Sequence, residues 1–203
     1  MRLVSQSLSN QYLSDPDVQL MLKVAGGDHS AFEQLVERYQ DRMVGFFFHI
    51  VRDRSAAEDL AQDVFLRVYR SRERYEARAR FSTWLFRIAH NLANNQRRDT
   101  IRKREIPIAP GSDAYDFQPQ GKILAEKSAL LPTRRLDSLE MRDIVRNALD
   151  DLGERQKTAV LLHKFEGMSY EEIGEVMGLG TVAVKSLLAR ARLRLKEVLE
   201  KYL

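Results

Sequence analysis

The side chains most able to do chemistry in this chain are cations and hydrogen-bonding groups repeated at helical spacing near the C-terminus. They fall on the polar side of one helical pattern: Lys185, Ser186, Arg190, Arg192, Arg194 and Lys196. Lysine and arginine bind phosphate oxygens, and side chains of these types also hydrogen-bond to base edges. This chemistry binds a nucleic acid and does not transform a substrate.

The sequence contains no pattern typical of catalysis or metal binding. Cysteine is absent, which excludes disulfides and thiolate metal sites. No H-E-x-x-H, P-loop or G-x-S-x-G pattern occurs. The histidines lack the spacing of a metal site: His29, His49, His90 and His163. We therefore expect a protein that is not an enzyme and that needs no metal or other cofactor.

Two helices joined by a glycine-bearing turn must position the C-terminal cations. Ser169 followed by Glu172 is a capping box, which predicts the start of the first helix. Gly178 and Gly180 interrupt that helix. Apolar residues at helical spacing then resume at Val184, Leu187, Leu188, Ala191 and Leu195. This is the layout of a helix-turn-helix, whose second helix can enter the major groove of DNA.

A second polar face lies on the segment 81–98. Its apolar side holds Phe81, Trp84, Leu85, Ile88 and Leu92, and its polar side holds Arg87, Asn91, Asn94, Asn95 and Arg98. The polar side has no carboxylate, although a solvated helix usually favours pairs of opposite charge. Asparagine is a mediocre helix former, but its amide both donates and accepts, which suits reading a base edge. An ordinary exposed face is equally compatible with these residues.

The segment before this helix combines arginines with two aromatic rings. Arg67–Arg80 contains Tyr69 and Tyr75 among six arginines. Arginine holds phosphates, and aromatic rings stack on unstacked bases. The alternative is a solvated connector.

An acidic side precedes it on the predicted helix over 56–70. Four residues fall on that side at helical spacing: Asp59, Gln62, Asp63 and Leu66. Its negative charge would repel DNA. The side is either a docking face for a protein or inert surface, and the residues alone favour inert surface.

Charge is distributed unevenly along the chain, whose net charge is +4. Residues 67–104 carry 12 basic and 3 acidic side chains, a net charge of +9, and residues 185–203 carry a net charge of +4. The segments 1–66 and 105–184 are net negative. Two positive blocks in an acidic background predict a polyanion that is bound at two places.

Helical periodicity without sustained strand alternation predicts an all-α chain with two small domains. Residues 18–98 form the first helical domain after an N-terminal tail over 1–17, and residues 138–203 form the second. Residues 99–137 hold four of the five prolines and lose the apolar periodicity, so we predict a linker there, with room for one short helix over 122–131.

Nothing in the sequence predicts a membrane protein or an exported one. No apolar run approaches the roughly 20 residues of a transmembrane helix. The N-terminus is polar and lacks the apolar core of a signal peptide. We therefore expect a soluble protein of the cytoplasm.

Three segments in series resemble those of bacterial extracytoplasmic-function (ECF) sigma factors. They read DLAQDVFLRVYR, FSTWLFRIAHNLANNQRR, and MSYEEIGEVMG followed by VKSLLARAR. The resemblance spans about nine-tenths of the chain in the family's order, which is far more specific than one helix-turn-helix. It implies a region 2 domain, a linker and a region 4 domain. It also implies an alternative sigma factor, which directs RNA polymerase to promoters and assists DNA melting.

The resemblance assigns roles by position. Polymerase binding falls on the acidic helix, at Asp59, Gln62, Asp63 and Phe65, which reverses the inert interpretation. Recognition of the −10 element falls to Tyr75, Arg87, Asn91, Asn95 and Arg98, with Asn91 at the family's base-reading position. Contacts to the −35 element fall to Tyr170, Glu171, Lys185, Ser186 and Arg190. The implied partners are promoter DNA, an anti-sigma factor, and core RNA polymerase through its β′ clamp and β flap.

The chain departs from the family's pattern in the helix-turn-helix. Family members commonly read VGTVKSRLHRAR, whereas the ungapped segment here reads TVAVKSLLARAR. Leu187 replaces a usual arginine, Ala189 replaces a usual bulky or polar residue, and His163 lies where a basic contact is frequent. The alternative function is a stand-alone helix-turn-helix regulator, in which residues 18–98 sense a ligand or dimerise.

Overall fold

The structure is a computed structural model that describes residues 12–105, 141 and 143–202. These residues are helical apart from turns and short connections, and they contain no strand, which confirms the predicted all-α class. They fall into two compact units, one within residues 12–105 and the other within 141–202. Most of the predicted linker, with the short helix over 122–131, lies outside the described residues.

The first unit contains four α-helices and one short 3₁₀ turn. They are α1 (Pro16–Ala25), α2 (His29–Val51), α3 (Arg54–Arg70), the 3₁₀ turn Arg72–Arg74, and α4 (Phe81–Glu105). Helix α4 continues seven residues beyond position 98, where the sequence predicted the end of the domain. Helix α1 begins inside the predicted tail and buries Val18, Met21 and Val24, so it belongs to the packed unit.

Aspartates start three of these helices. The carboxylate of Asp15 accepts from the amide of Asp17 at 2.9 Å, that of Asp28 accepts from Ala31 at 3.1 Å, and that of Asp53 accepts from Ala56 at 2.6 Å. Each bond satisfies an amide that has no partner within the helix, and each negative charge faces the positive end of the helix dipole. The helix boundaries of this unit are therefore encoded locally.

Aromatic rings fill the centre of the first unit. Phe46 makes edge-to-face contacts with Phe47 and Phe86, with ring centroids 5.5 and 5.4 Å apart, and Tyr39 meets Phe81 in the same way at 5.3 Å. Such pairs contribute about 0.5–1.5 kcal/mol beyond the area they bury. They hold α2 against α4 and so fix which side of α4 faces solvent.

Two buried tyrosines in this unit differ in how their hydroxyls are satisfied. The Tyr39 hydroxyl donates to the carboxylate of Asp17 at 2.5 Å, and Asp17 also forms an ion pair with Arg38, which ties α1 to α2. The Tyr75 hydroxyl is buried with no hydrogen-bond partner in the part of the chain that the structure describes. Burial raises the pKa of both phenols well above the ordinary value, and the charge of Asp17 adds to the shift at Tyr39.

Replacing each tyrosine by phenylalanine is expected to have opposite effects near pH 7. Tyr39→Phe removes a hydrogen bond to a charged group and should destabilise the first unit by about 2 kcal/mol. Tyr75→Phe removes only an unsatisfied buried hydroxyl and should leave stability unchanged or raise it by up to about 1 kcal/mol. Chemical denaturation of the two variants measures both changes. Equal losses would contradict the difference in bonding.

The same pair predicts the behaviour in alkali. Folding raises both phenol pKa values, so above about pH 10 the unfolded chain releases protons that the folded chain retains, and stability falls as pH rises. Below pH 10 both states keep the proton and the contribution is constant. Either phenylalanine variant should therefore lose less stability than the parent between pH 9 and about pH 11.

The second unit is built around the predicted helix-turn-helix. Residues 143–150 form α5, followed by α6 (Glu154–Val160), a π-helical turn (Leu161–Phe165), α7 (Tyr170–Met177) and α8 (Thr181–Leu199). The predicted capping box is confirmed, because the Ser169 hydroxyl accepts from the Glu172 amide at 3.2 Å and the Glu172 carboxylate accepts from the Ser169 amide at 2.8 Å. Helix α7 ends at Gly178, whose φ of +65° favours glycine.

Gly174 allows the backbone of the turn between α7 and α8 to pack closely against α7. A Cβ atom at this position would lie 2.6 Å from the backbone carbonyl oxygen of Leu179, a distance that real Cβ atoms essentially never show. The Leu179 amide donates to the Gly174 carbonyl at 2.9 Å, so the two backbones are already tied together. The lack of a side chain at Gly174 therefore allows α8 to leave the turn in its observed direction.

Gly174→Ala should destabilise the second unit by about 1–3 kcal/mol, because backbone atoms must shift to admit the new methyl group. Gly45→Ala is the matched control, since Gly45 is helical and a Cβ there meets nothing within 4 Å. That control should stabilise the first unit by roughly 0.5–1 kcal/mol. Amide hydrogen exchange resolves the two units separately. Unchanged protection of α7 and α8 in Gly174→Ala would contradict the close approach.

Candidate nucleic-acid interface

Helix α4 presents the predicted polar face to solvent. Phe81, Leu85 and Ala89 are completely buried, whereas the side chains predicted to bind DNA are exposed: Arg87, Asn91, Asn95 and Arg98. The apolar side differs in detail from the prediction. Trp84 and Ile88 are only half-buried, and Phe86 is completely buried although the sequence did not single it out.

The asparagines of this face are not equivalent. Asn94 Nδ2 lies 3.1 Å from a ring nitrogen of His90, so its amide is already engaged within the helix. Arg87, Asn91 and Asn95 make no polar contact with other side chains among residues 12–105 and 141–202. Their donors and acceptors are therefore available to a ligand that approaches this side of α4.

The loop before α4 uses its aromatic rings internally. The ring of Tyr75 lies 4.9 Å from that of Trp84, and only 9% of Tyr75 is exposed. The ring of Tyr69 lies 5.0 Å from that of Phe32, and the Arg72 guanidinium lies over the Tyr69 ring at 4.2 Å. Both tyrosines therefore pack against other side chains of the unit, and the assignment of Tyr75 to the −10 element stays a prediction.

The acidic side of α3 forms as predicted. Asp59 and Gln62 are exposed, and Leu66 follows them with 53% of its surface exposed. Phe65, which the resemblance placed at a polymerase contact, is 8% exposed and belongs to the core. Leu66 lies about 100° further round the helix than Phe65, outside the arc that the core buries.

Asp63 on this side is already paired. Its carboxylate accepts from Nε and Nη2 of Arg67 at 3.2 and 3.0 Å, and both side chains are partly exposed. An exposed pair of this kind contributes only about 0.3–0.5 kcal/mol. The carboxylate can therefore exchange Arg67 for another cation at little cost.

Helix α8 separates its core side from a cationic side. Val184, Leu187, Leu188 and Ala191 are buried, and the exposed residues include Lys185, Ser186, Ala189 and Arg190. Leu187 is 9% exposed, so the residue that replaces the family's usual arginine packs in the core. The basic side of α8 is therefore narrower than the family pattern implied.

A hydrogen bond that the sequence did not predict joins the two helices of the helix-turn-helix, α7 and α8. Arg192 Nη2 donates to the hydroxyl of Tyr170 at 3.1 Å, and the ring of His163 lies 5.4 Å from that of Tyr170. His163 Nδ1 lies 3.0 Å from the carbonyl oxygen of Met168 and donates to it. Twenty-two residues separate Tyr170 from Arg192, and no local pattern signals such a pair. Glu171 is exposed beside this group at the start of α7.

The comparisons with known proteins agree with this arrangement. The family model for sigma-70 region 2 matches residues 35–103, and the model for sigma-70 region 4 matches residues 142–195. The RNA polymerase sigma-H factor of Pseudomonas aeruginosa is 33% identical over 92% of this chain and 95% of its own length. The ECF RNA polymerase sigma-E factor of Haemophilus influenzae is 36% identical over 87% of this chain and 91% of its own length.

Two solved structures share the fold. CnrH, solved in complex with the cytosolic domain of CnrY, superposes with a TM-score of 0.63 at 24% identity, covering 92% of this chain and 99% of CnrH. The sigma factor RpoE of Bartonella quintana, solved with the anti-sigma factor NepR, gives a TM-score of 0.62 at 24% identity, with coverage of 83% of this chain and 96% of RpoE.

Among the residues described, no helix is both long and apolar enough to cross a bilayer.

These matches do not favour the stand-alone regulator, because both halves of the chain match parts of the same initiation factor in the same order. The relatives align along nearly their whole length. The chain therefore belongs to the extracytoplasmic-function family of alternative sigma factors, which act in transcription initiation.

Proposed function

We propose that three exposed helix faces divide the work of this sigma factor. The acidic side of α3 docks on core RNA polymerase, the asparagine face of α4 reads the −10 element, and the cationic side of α8 reads the −35 element. The observation that carries the proposal is the difference in chemistry between these faces, each of which is exposed because the opposite side of its helix is buried in the core of its own unit. One is acidic with an apolar residue, one is rich in free amides, and one is cationic.

The α3 face has the composition of a protein-docking surface. Leu66 offers exposed apolar area beside the carboxylates of Asp59 and Asp63 and the amide of Gln62. Interfaces gain most of their energy from a few apolar anchors, while flanking charges guide association. We assign this face to the β′ clamp, with Phe65 supporting it from the core. Asp63 would exchange Arg67 for a cation of the polymerase.

The α4 face suits single bases and their phosphates. The free amide of Asn91 can donate and accept in one plane, with Arg87 and Asn95 one turn away on either side and Arg98 beyond. Captured bases are read through hydrogen bonds to their polar edges. We assign Asn91 to a base of the −10 element, the neighbouring cations to phosphates, and Tyr75 to support of the loop that borders the site.

The α8 face suits the major groove of an intact duplex. Lys185 and Arg190 supply cations and Ser186 a hydroxyl. Tyr170 and Glu171, at the start of α7, border this helix. A good bidentate base contact gives about 1–3 kcal/mol of discrimination, so neither unit should bind its element tightly by itself. Polymerase would hold both units on one promoter and make the second contact intramolecular.

The remaining assignments follow from the family. Each fold neighbour named above was solved with a partner, NepR being an anti-sigma factor. We infer that this chain likewise binds core polymerase, promoter DNA and an anti-sigma factor, with the β flap contacting its second unit. It would act in the cytoplasm, where the polymerase is, and would have no catalytic role of its own.

Leu66→Ala tests the docking face. Burying a leucine side chain contributes roughly 1.5–3 kcal/mol, so the variant should bind core polymerase about tenfold more weakly or worse. Leu22→Ala is the matched control, because Leu22 is 39% exposed on α1 of the same unit. Titration of labelled sigma factor with core polymerase measures both. Equal affinities of the two variants would remove Leu66 from the interface.

Asn91→Ala tests the −10 face. It should leave the affinity for core polymerase unchanged but lower run-off transcription by roughly fivefold or more, the equivalent of about 1–3 kcal/mol at one base. Asn94→Ala is the matched control, since that amide is engaged with His90. The cognate promoter is first selected from a library with the holoenzyme. Full transcription by Asn91→Ala, or equal loss in both variants, would contradict the assignment.

A further inference from the structure

Val182 is an unusually exposed apolar side chain at the start of α8. It is 81% exposed, the largest fraction among the large apolar residues that the structure describes as exposed. It is the second residue of the helix, which begins at Thr181 after the N-cap Gly180. Thr181 and Ala183 beside it are exposed as well, so nothing within the described unit covers this end of the helix.

The stability of the unit does not explain this residue. Valine is a weaker helix former than alanine, because its branched side chain loses rotamer freedom in a helix. The helix is already anchored by Val184, Leu187 and Leu188, all of which point into the core. An exposed valine in the first turn therefore does not stabilise the helix, and its role is better sought in contact with a partner.

Helical spacing places Val182 on the side of α8 that we assign to DNA. Lys185 and Ser186 follow it at i+3 and i+4, and Ala189 follows at i+7. All of them are exposed on the same side. The N-terminal residues of a recognition helix contact base edges in the major groove. Because Ala189 is small, it does not hold the helix away from the bases.

The methyl group that bases present in the major groove is the C5 methyl of thymine, and it is the group that apolar side chains contact there. We propose that Val182 is a specificity residue that packs on the methyl group of a thymine in the −35 element. The inference rests on the proposed role of α8. It names an A·T pair at the end of the element that lies beneath the first turn of α8, beside the pairs within reach of Lys185 and Ser186.

Deoxyuridine substitution tests this directly, because it removes the methyl group and leaves base pairing intact. The holoenzyme is assembled with core polymerase on its selected promoter, and each thymine of the −35 element, on either strand, is replaced singly. One position should weaken binding about fourfold, the equivalent of the ~0.8 kcal/mol of one buried methyl-sized group. Val182→Ala should bind thymine and deoxyuridine equally at that position.

Val145→Ala is the matched control, since Val145 is a partly exposed valine of the same unit outside α7 and α8. It should keep the full fourfold discrimination. Discrimination that persists in Val182→Ala would overturn the assignment, as would a promoter on which no deoxyuridine has an effect although other −35 changes abolish binding. If the −35 sequence does not matter at all, the proposed role of α8 fails, and this inference fails with it.

Discussion

Burial of one side of each long helix is the constraint on which the rest of the structure depends. In α4, completely burying Phe81, Leu85 and Ala89 leaves Asn91 no direction but outward. In α8, burying Val184, Leu187 and Leu188 does the same for Lys185 and Ser186. Because helical residues advance by about 100°, the core determines the angle at which each functional side chain leaves the unit. The residues of the polar faces could be substituted without loss of the fold, but a shift in the packing of either core would reorient the exposed side chains of that unit.

The constraint also explains why helical spacing in the sequence predicted which sides of the helices are exposed. The capping box of Ser169 and Glu172 and the exposure of Asn91 follow from local spacing, and the structure confirms both. On α3 the spacing placed Leu66 on the exposed side, as the structure shows, whereas Phe65, which only the family resemblance assigned to a polymerase contact, lies in the core. The extension of α4 to Glu105 was missed because that end of the helix carries charges without apolar periodicity.

Contacts between distant segments lay beyond the sequence for a different reason. The bond from Tyr39 to Asp17, and that from Arg192 to Tyr170, each join residues more than twenty positions apart. The burial of Tyr75 against Trp84 depends on how the loop folds back onto α4. A tyrosine among arginines has the same composition whether its ring faces DNA or the core. Only the packing of the loop shows where the ring lies, and here Tyr75 packs against Trp84.

The departures of α8 from its family form one physical pattern. Leu187 removes a cation and adds to the core, while Ala189 removes bulk from the exposed side. If α8 binds the major groove as we propose, both changes would reduce polar contact with DNA and allow the helix to approach the bases more closely. Exposed Val182 then provides an apolar side chain that gains energy only when the helix lies close to the bases, since apolar contact in the groove acts only at van der Waals distance. Less of the selectivity of this helix would therefore come from salt-sensitive cations, and more from its fit to a thymine methyl group.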